Sequence, residues 1–165
     1  MKKLLLSILI SLFLLASVQA SEPADYISSG NNFWSQGNLT EAETAFKKAL
    51  EQNADSSIAH ERLANLYLTQ NKTGEAIEHY QDAIMNDSEN AHLYIGLSIA
   101  YLHKKYYQMA EAMANQAITI NPNLAHAQKL KAYIDARNEQ LSLVEQAGTD
   151  SAQPLHDAFH GKPQP

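Results

Sequence analysis

From Leu39 onward apolar residues recur three and four places apart. Ala42, Ala45, Phe46, Ala49 and Leu50 share one face of a helix, and Glu41, Lys47, Lys48 and Glu51 fall elsewhere. This is the 3.6-residue period of a half-buried helix. Ala110, Met113, Ala114, Ala117 and Ile118 repeat the pattern. Between them Ala76, His79, Tyr80, Ala83 and Ile84 form a third stripe, in which an imidazole stands among apolar neighbours. No segment alternates with the two-residue period of a strand. Thr40 followed by Glu43 predicts a capping box at the start of the first stripe. The stretches "QNADSS", "NDSEN" and "NPN" are rich in residues that end or cap helices.

The stripes are copies of one unit. "GNLTEAETAFKKAL" from Gly37, "NKTGEAIEHYQDAI" from Asn71 and "KYYQMAEAMANQAI" from Lys105 align without a gap at an offset of 34 residues. Ala42, Ala76 and Ala110 coincide, as do Ala49, Ala83 and Ala117. Upstream, Phe33, Tyr67 and Tyr101 coincide, and Gly30, Ala64 and Ser98 supply a small residue in each copy. Tyr26 and Tyr94 share a place with His60. Three copies of a two-helix unit therefore occupy residues 23–56, 57–90 and 91–124. A small residue lets two helix backbones approach closely, and an aromatic from the partner helix fills the space beside it.

This arrangement resembles the tetratricopeptide repeat (TPR) family, whose unit has 34 residues with alanines and aromatics in this order. There are departures. Ser29 stands where Leu63 and Leu97 give the usual leucine, Ala114 replaces the aromatic of Phe46 and Tyr80, and only the third copy keeps the inter-repeat proline, Pro122. The resemblance implies an all-α, right-handed solenoid of three helix-turn-helix repeats. Leu124, Ala127, Leu130, Ile134, Arg137, Leu141 and Val144 continue the helical spacing, so residues 125–146 are expected to form a helix capping the last repeat. Residues 147–165 mix Gly, Pro, Ser and Gln with few apolar side chains and are expected to be disordered.

The first twenty residues, "MKKLLLSILISLFLLASVQA", have two lysines, an apolar run from Leu4 to Leu15, and Val18 and Ala20 flanking Gln19. That is the pattern of a secretory signal peptide cleaved after Ala20. The apolar run is short for a permanent membrane span, so membrane contact is expected only during export. Removing Lys2 and Lys3 takes the net charge from −6 to −8. An acidic chain is a poor nucleic-acid binder. Without cysteine, disulfides and thiolate metal sites are excluded. A bacterial periplasm is the expected location; secretion, or anchoring by an uncleaved leader, is the alternative.

The resemblance also implies a concave surface, lined by the first helix of each copy, that binds an extended or helical segment of a partner protein. The residues expected there are Ile27, Asn31 and Trp34, then Arg62, Asn65 and Leu68, then His92, Ile99 and His103. Asn31 and Asn65 stand at equivalent places, where an amide both donates to and accepts from a peptide backbone. Arg62 suits a carboxylate, and Trp34 suits an apolar anchor; the alternative is that these are merely solvated helix residues, with Trp34 filling the end of the stack. One TPR subfamily grips the C-terminal carboxylate of chaperones through Lys, Asn and Arg. Here Ile27, Arg62, His92 and Gly96 fall at those places and only Asn31 fits, so that activity is not expected.

An adaptor or assembly factor is thus the function expected, without catalysis and without a cofactor. "HERLA" from His60 lacks the second histidine of a zinc-protease helix. Two rival readings remain. His156 and His160 in "LHDAFH" suit weak metal handling by the tail, while Tyr106, Tyr107 and Met109 suit self-assembly, against a monomer or small oligomer. No metal ligand is assigned within the repeats, a pH-sensitive or metal-binding His79 being the alternative to a packing role. His79, whose equivalents are Ala45 and Met113, is expected to be a partly buried packing residue with no carboxylate or second histidine at helical spacing on its face.

Overall fold

A computed structural model describes the backbone of residues 25–160 and the side chains of residues 25–146. The leader, the last five residues, and the side chains of His156 and His160 lie outside the described residues. Among the described residues seven helices follow one another: α1 (Tyr26–Ser35), α2 (Leu39–Gln52), α3 (Ser57–Thr69), α4 (Thr73–Asn86), α5 (Ala91–His103), α6 (Tyr107–Ile120) and α7 (Ala125–His160). Each packs on its predecessor, and there is no strand among the described residues. The molecule is an all-α helical solenoid.

The repeat is written into the backbone as well as the side chains. Between the two helices of each pair one residue has positive φ: Gly37 at 81°, Asn71 at 59° and Lys105 at 61°. These three positions are again 34 apart. After each, an N–H reaches back to close the helix end: Asn38 to the Phe33 carbonyl, Lys72 to Tyr67 and Tyr106 to Tyr101, at 2.9, 2.8 and 2.9 Å. A left-handed residue closing a six-residue hydrogen-bonded turn is how helices commonly stop. The first helices start on side-chain caps, with Asp25, Ser56 and Asn90 accepting from the N–H groups of Ser28, Ala59 and His92.

The second helices start differently, and here one expectation fails. The N-cap of α2 is Asn38, it makes no side-chain cap, and Thr40 lies inside the helix. Glu43 does not turn back to a capping partner. Its Oε1 accepts from Lys47 Nζ at 2.7 Å and from the Tyr67 hydroxyl at 3.0 Å. The turn at Gly37 feeds the chain directly into α2, and a cation and a phenol compete for the carboxylate better than a backbone N–H does.

The stripes meet in the core as the register predicts. Ala42, Ala76 and Ala110 have no exposed surface, nor do Ala83 and Ala117, and Ala49 is nearly as buried. Phe46 packs with Leu63, Leu66 and Tyr67 between the first and second pairs; Tyr80 packs with Ala64, Leu97 and Ala100 between the second and third. Burying side chains of this size contributes about 2–3 kcal/mol each. Two glycines make room for the aromatics. A methyl on Gly30 would lie 2.4 Å from Phe46, and one on Gly96 would lie 2.3 Å from Tyr80.

The first part of α7 covers the third pair, with Ala127 and Ile134 fully buried against α6 and its neighbours. Asn138 donates to Glu111 at 3.0 Å. Beyond that point Leu141 and Val144 are exposed, so only the first half of the expected stripe packs. The helix also runs on to His160, through a stretch expected to be disordered. Low apolar content rules out a packed core there but not a helix: extending an existing helix needs no new nucleus.

Candidate partner-binding groove

The curvature of the stack follows from which helices touch. The first helices meet in succession, α1 on α3, α3 on α5 and α5 on α7, whereas α2, α4 and α6 do not touch one another. The stack therefore closes toward the first helices, and α1, α3 and α5 line its inner side. On them Asn31, Asn65 and Ile99 occupy equivalent places.

The nine expected residues divide by environment. Asn31, His92, Ile99 and His103 are exposed, and Ile27, Trp34, Arg62, Asn65 and Leu68 are half-buried. Leu68 packs against the cores on both sides of α3 and serves them as filling. Trp34 sets its edge on Phe46, with ring centroids 6.3 Å apart.

Two polar side chains of α3 stand out. The Tyr80 ring passes Gly96 and delivers its hydroxyl to Asn65 Oδ1, donating at 2.7 Å. This bond fixes which way the amide faces and leaves its NH₂ group to serve as donor. Burial, followed by the Glu61 charge, holds the Tyr80 phenol in its neutral, donating form. One turn before Asn65 in α3, Arg62 has a buried Nε without a hydrogen-bond partner among the described residues. A buried unpaired donor costs free energy until an acceptor reaches it.

Two residue sets escaped the sequence reading. Asn65 was expected to be a groove amide; its tether to Tyr80 was not legible, because Tyr80 lies on the packing stripe of α4. The second is a cluster across the first and second helices of the middle repeat. His60 Nδ1 lies 2.9 Å from His79 Nδ1 and 3.6 Å from Asp82 Oδ2. His79 thus has a second histidine as partner, and Asp82, three residues along its own helix, was a carboxylate at helical spacing. The expectation that no carboxylate would stand at helical spacing is wrong, whereas the histidine comes from the neighbouring helix and satisfies a partly buried His79 as expected. The clue was available: His60 stands where the other repeats have Tyr26 and Tyr94.

Comparison with known proteins bears on this geometry. Two family models described as tetratricopeptide repeat match residues 28–91 and 67–134, together spanning the three pairs and most of the packed part of α7. The chain belongs to the tetratricopeptide repeat family. Among solved TPR structures, the first TPR of Spaghetti (RPAP3) bound to the HSP90 peptide SRMEEVD is similar with a TM-score of 0.68 and 16% identity. That likeness covers 75% of this chain and 98% of the other. The second TPR domain of human RPAP3, in complex with the HSP70 peptide SGPTIEEVD, gives 0.63 at 17% identity, over 67% and 92%. At such identities these likenesses show the fold. The type IV pilus assembly protein PilF of Pseudomonas aeruginosa is 32% identical over 85 residues, 52% of this chain. The match takes in 34% of that protein's length, so this TPR chain spans about a third of it.

Repeats of this family form a protein–protein interaction module, and a protein or peptide is the class of partner that the fold serves.

Proposed function

We propose that this TPR chain is an exported adaptor or assembly factor that holds an extended or helical segment of a partner protein along α1, α3 and α5. The observation that carries the reading is the pair on α3. Asn65 has an oriented NH₂ group, and beside it on the same helix half-buried Arg62 has a buried Nε without a hydrogen-bond partner among the described residues, so that its terminal nitrogens are the ones a partner would meet. An amide donor recognises a peptide carbonyl whatever the side chain, and a guanidinium adds preference for a carboxylate. Solved relatives hold peptides, and PilF is by name an assembly protein. The lysine-led apolar leader supports export to a bacterial periplasm.

The peptide differs from a chaperone tail. Ile27, Arg62 and His92 stand at the clamp places, and at Gly96 the Tyr80 ring occupies the space a long side chain would need.

A photo-reactive amino acid at position 65, compared with one at exposed position 78 on α4, tests the groove in cells. Capture of a defined partner from position 65 and not from 78 supports the reading; equal capture from both sides defeats it. Self-assembly is the second reading, favoured by exposed Tyr106 and Met109 at the start of α6. Light scattering showing a concentration-independent monomer mass would remove it.

A further inference from the structure

The middle repeat differs from its neighbours at three positions that converge in space. His60 replaces the tyrosine of Tyr26 and Tyr94, His79 replaces Ala45 and Met113, and Asp82 replaces Lys48 and Gln116. The three contribute Nδ1, Nδ1 and a carboxylate oxygen that all lie within 4.8 Å of one another. Separately, none of these substitutions calls for another. Together they replace an aromatic, an apolar residue and a cation or amide by three metal-ligating groups at one place.

The hydrogen bonds fix the protons. His60 Nε2 lies 3.1 Å from the Ala54 carbonyl, which can only accept, so Nε2 carries the hydrogen and Nδ1 presents a lone pair. His79 Nδ1, at 2.9 Å, must then be the donor to it. A carbonyl on the far nitrogen is the support that orients a histidine ligand and raises its basicity. The Tyr67 ring stacks on His79 at 5.5 Å between centroids and holds that ring in place. His60 is buried, while the Asp82 side chain is 40% exposed, so the cluster opens to solvent on the carboxylate side. Burial, and next the facing His60, lower the His79 pKa, which keeps a ligating nitrogen unprotonated near neutrality; Asp82 and Glu78 oppose this and Lys47 assists it.

We infer that His60, His79 and Asp82 form a binding site for one divalent transition ion of the zinc class, bridging α3 and α4. Nitrogens and oxygens about 2.0–2.1 Å from a tetrahedral ion lie roughly 3.3 Å from each other. The two separations from His60, 2.9 and 3.6 Å, bracket that value and the third lies within 4.8 Å, so side-chain adjustment of no more than about 1.5 Å brings the set onto one ion. Entry requires His79 to move its hydrogen from Nδ1 to Nε2, with no net proton released. The set of two imidazoles and one carboxylate suits Zn²⁺, Cu²⁺ or Ni²⁺ and disfavours Mg²⁺ and Ca²⁺, which take oxygen. Three protein ligands leave the fourth position for water or for a donor from a bound partner. The ion would tie the two helices of the central repeat together and stiffen the pair that carries Asn65 and Tyr80.

Calorimetric titration of the folded full chain with Zn²⁺ tests the site, with Co²⁺ absorption as a report on tetrahedral geometry. His79→Ala installs the residue of the first repeat and Asp82→Asn is nearly isosteric, so both are expected to fold, as circular dichroism will check. Expected are one saturable Zn²⁺ site per chain, a melting temperature raised by Zn²⁺, and an affinity weakened about tenfold or more in each variant. The double variant His156→Ala/His160→Ala should bind as the parent does. The inference is overturned by the absence of saturable binding below about 1 mM. It is equally overturned by binding that survives both repeat variants and disappears with the tail histidines.

Discussion

Gly96 is where the packing leaves least room, and Gly96→Ala makes that measurable. The added methyl would stand 2.3 Å from Tyr80 Cε1, 2.4 Å from Cζ and 2.6 Å from the hydroxyl oxygen. Carbon atoms in contact prefer about 3.5–4.0 Å, so the ring or α5 must move by more than an ångström. Tyr80 has little freedom to do so, being 1% exposed and hydrogen-bonded to Asn65 at 2.7 Å. Overpacking costs about 1–3 kcal/mol and loss of the hydrogen bond about 1 kcal/mol. The better helix propensity of alanine returns about 1 kcal/mol. The net expectation is destabilisation by about 1–3 kcal/mol.

Gly74 is the control. It lies in the first turn of α4, and a methyl added there would meet nothing within 4 Å, so Gly74→Ala should stabilise by up to about 1 kcal/mol. Urea unfolding followed by circular dichroism gives both values, with the slope expected to be unchanged. Shortening the obstacle with Tyr80→Leu should shrink the cost of Gly96→Ala, a coupling that a double-mutant cycle reads directly. A Gly96→Ala chain as stable as the parent, or equal effects at the two glycines, would refute the close approach.

Four further outcomes are expected. Lys105→Gly should stabilise by about 1 kcal/mol, since a lysine at φ 61° is replaced by the residue that the first repeat uses there; a loss in urea unfolding would refute it. Ile134→Ala should cost about 2–4 kcal/mol, because Ile134 is fully buried between α7 and α6; a cost near zero in the same assay would show that α7 does not cover the last repeat. Glu43→Gln weakens the contacts from Lys47 and Tyr67 and should cost about 1 kcal/mol, an effect that Tyr67→Phe should share rather than add to. For His79 the folded pKa lies below the ordinary 6.5, chiefly from burial, so the unfolded chain binds the extra proton. Stability is then complete above about pH 6.5 and declines as the pH falls below it. His79→Ala should flatten that decline in a metal-free pH series, and superimposable profiles would count against it.

The 34-residue register was legible because packing constrains the same places in every copy. The alanines at 42, 76 and 110 are all fully buried. The left-handed turns were legible only at Gly37. Asn71 is a weaker signal and Lys105 gives none, since a lysine takes that conformation through the closing hydrogen bonds around it rather than by preference. The capping box misled because sequence spacing does not say which donors compete for Glu43. The far half of the α7 stripe misled because periodicity reports a potential face, and Leu141 and Val144 lie past the end of the stack, exposed. At the groove, the residue types could be chosen from the register. That Asn65 is tethered, Arg62 is left with an unpaired nitrogen and Leu68 serves the core are facts of contacts between helices.

The central claim is that the inner side of the first helices holds the partner, and the most direct test is a titration of a partner captured from position 65 against the double variant Asn65→Ala/Arg62→Ala. In this variant the buried Tyr80 hydroxyl loses its acceptor, so the chain should be about 1–3 kcal/mol less stable than the parent and still fold, as circular dichroism will check. It is expected to bind the partner at least about tenfold more weakly, as the loss of one oriented amide and one guanidinium donor implies. Undiminished affinity in a folded double variant would contradict the account.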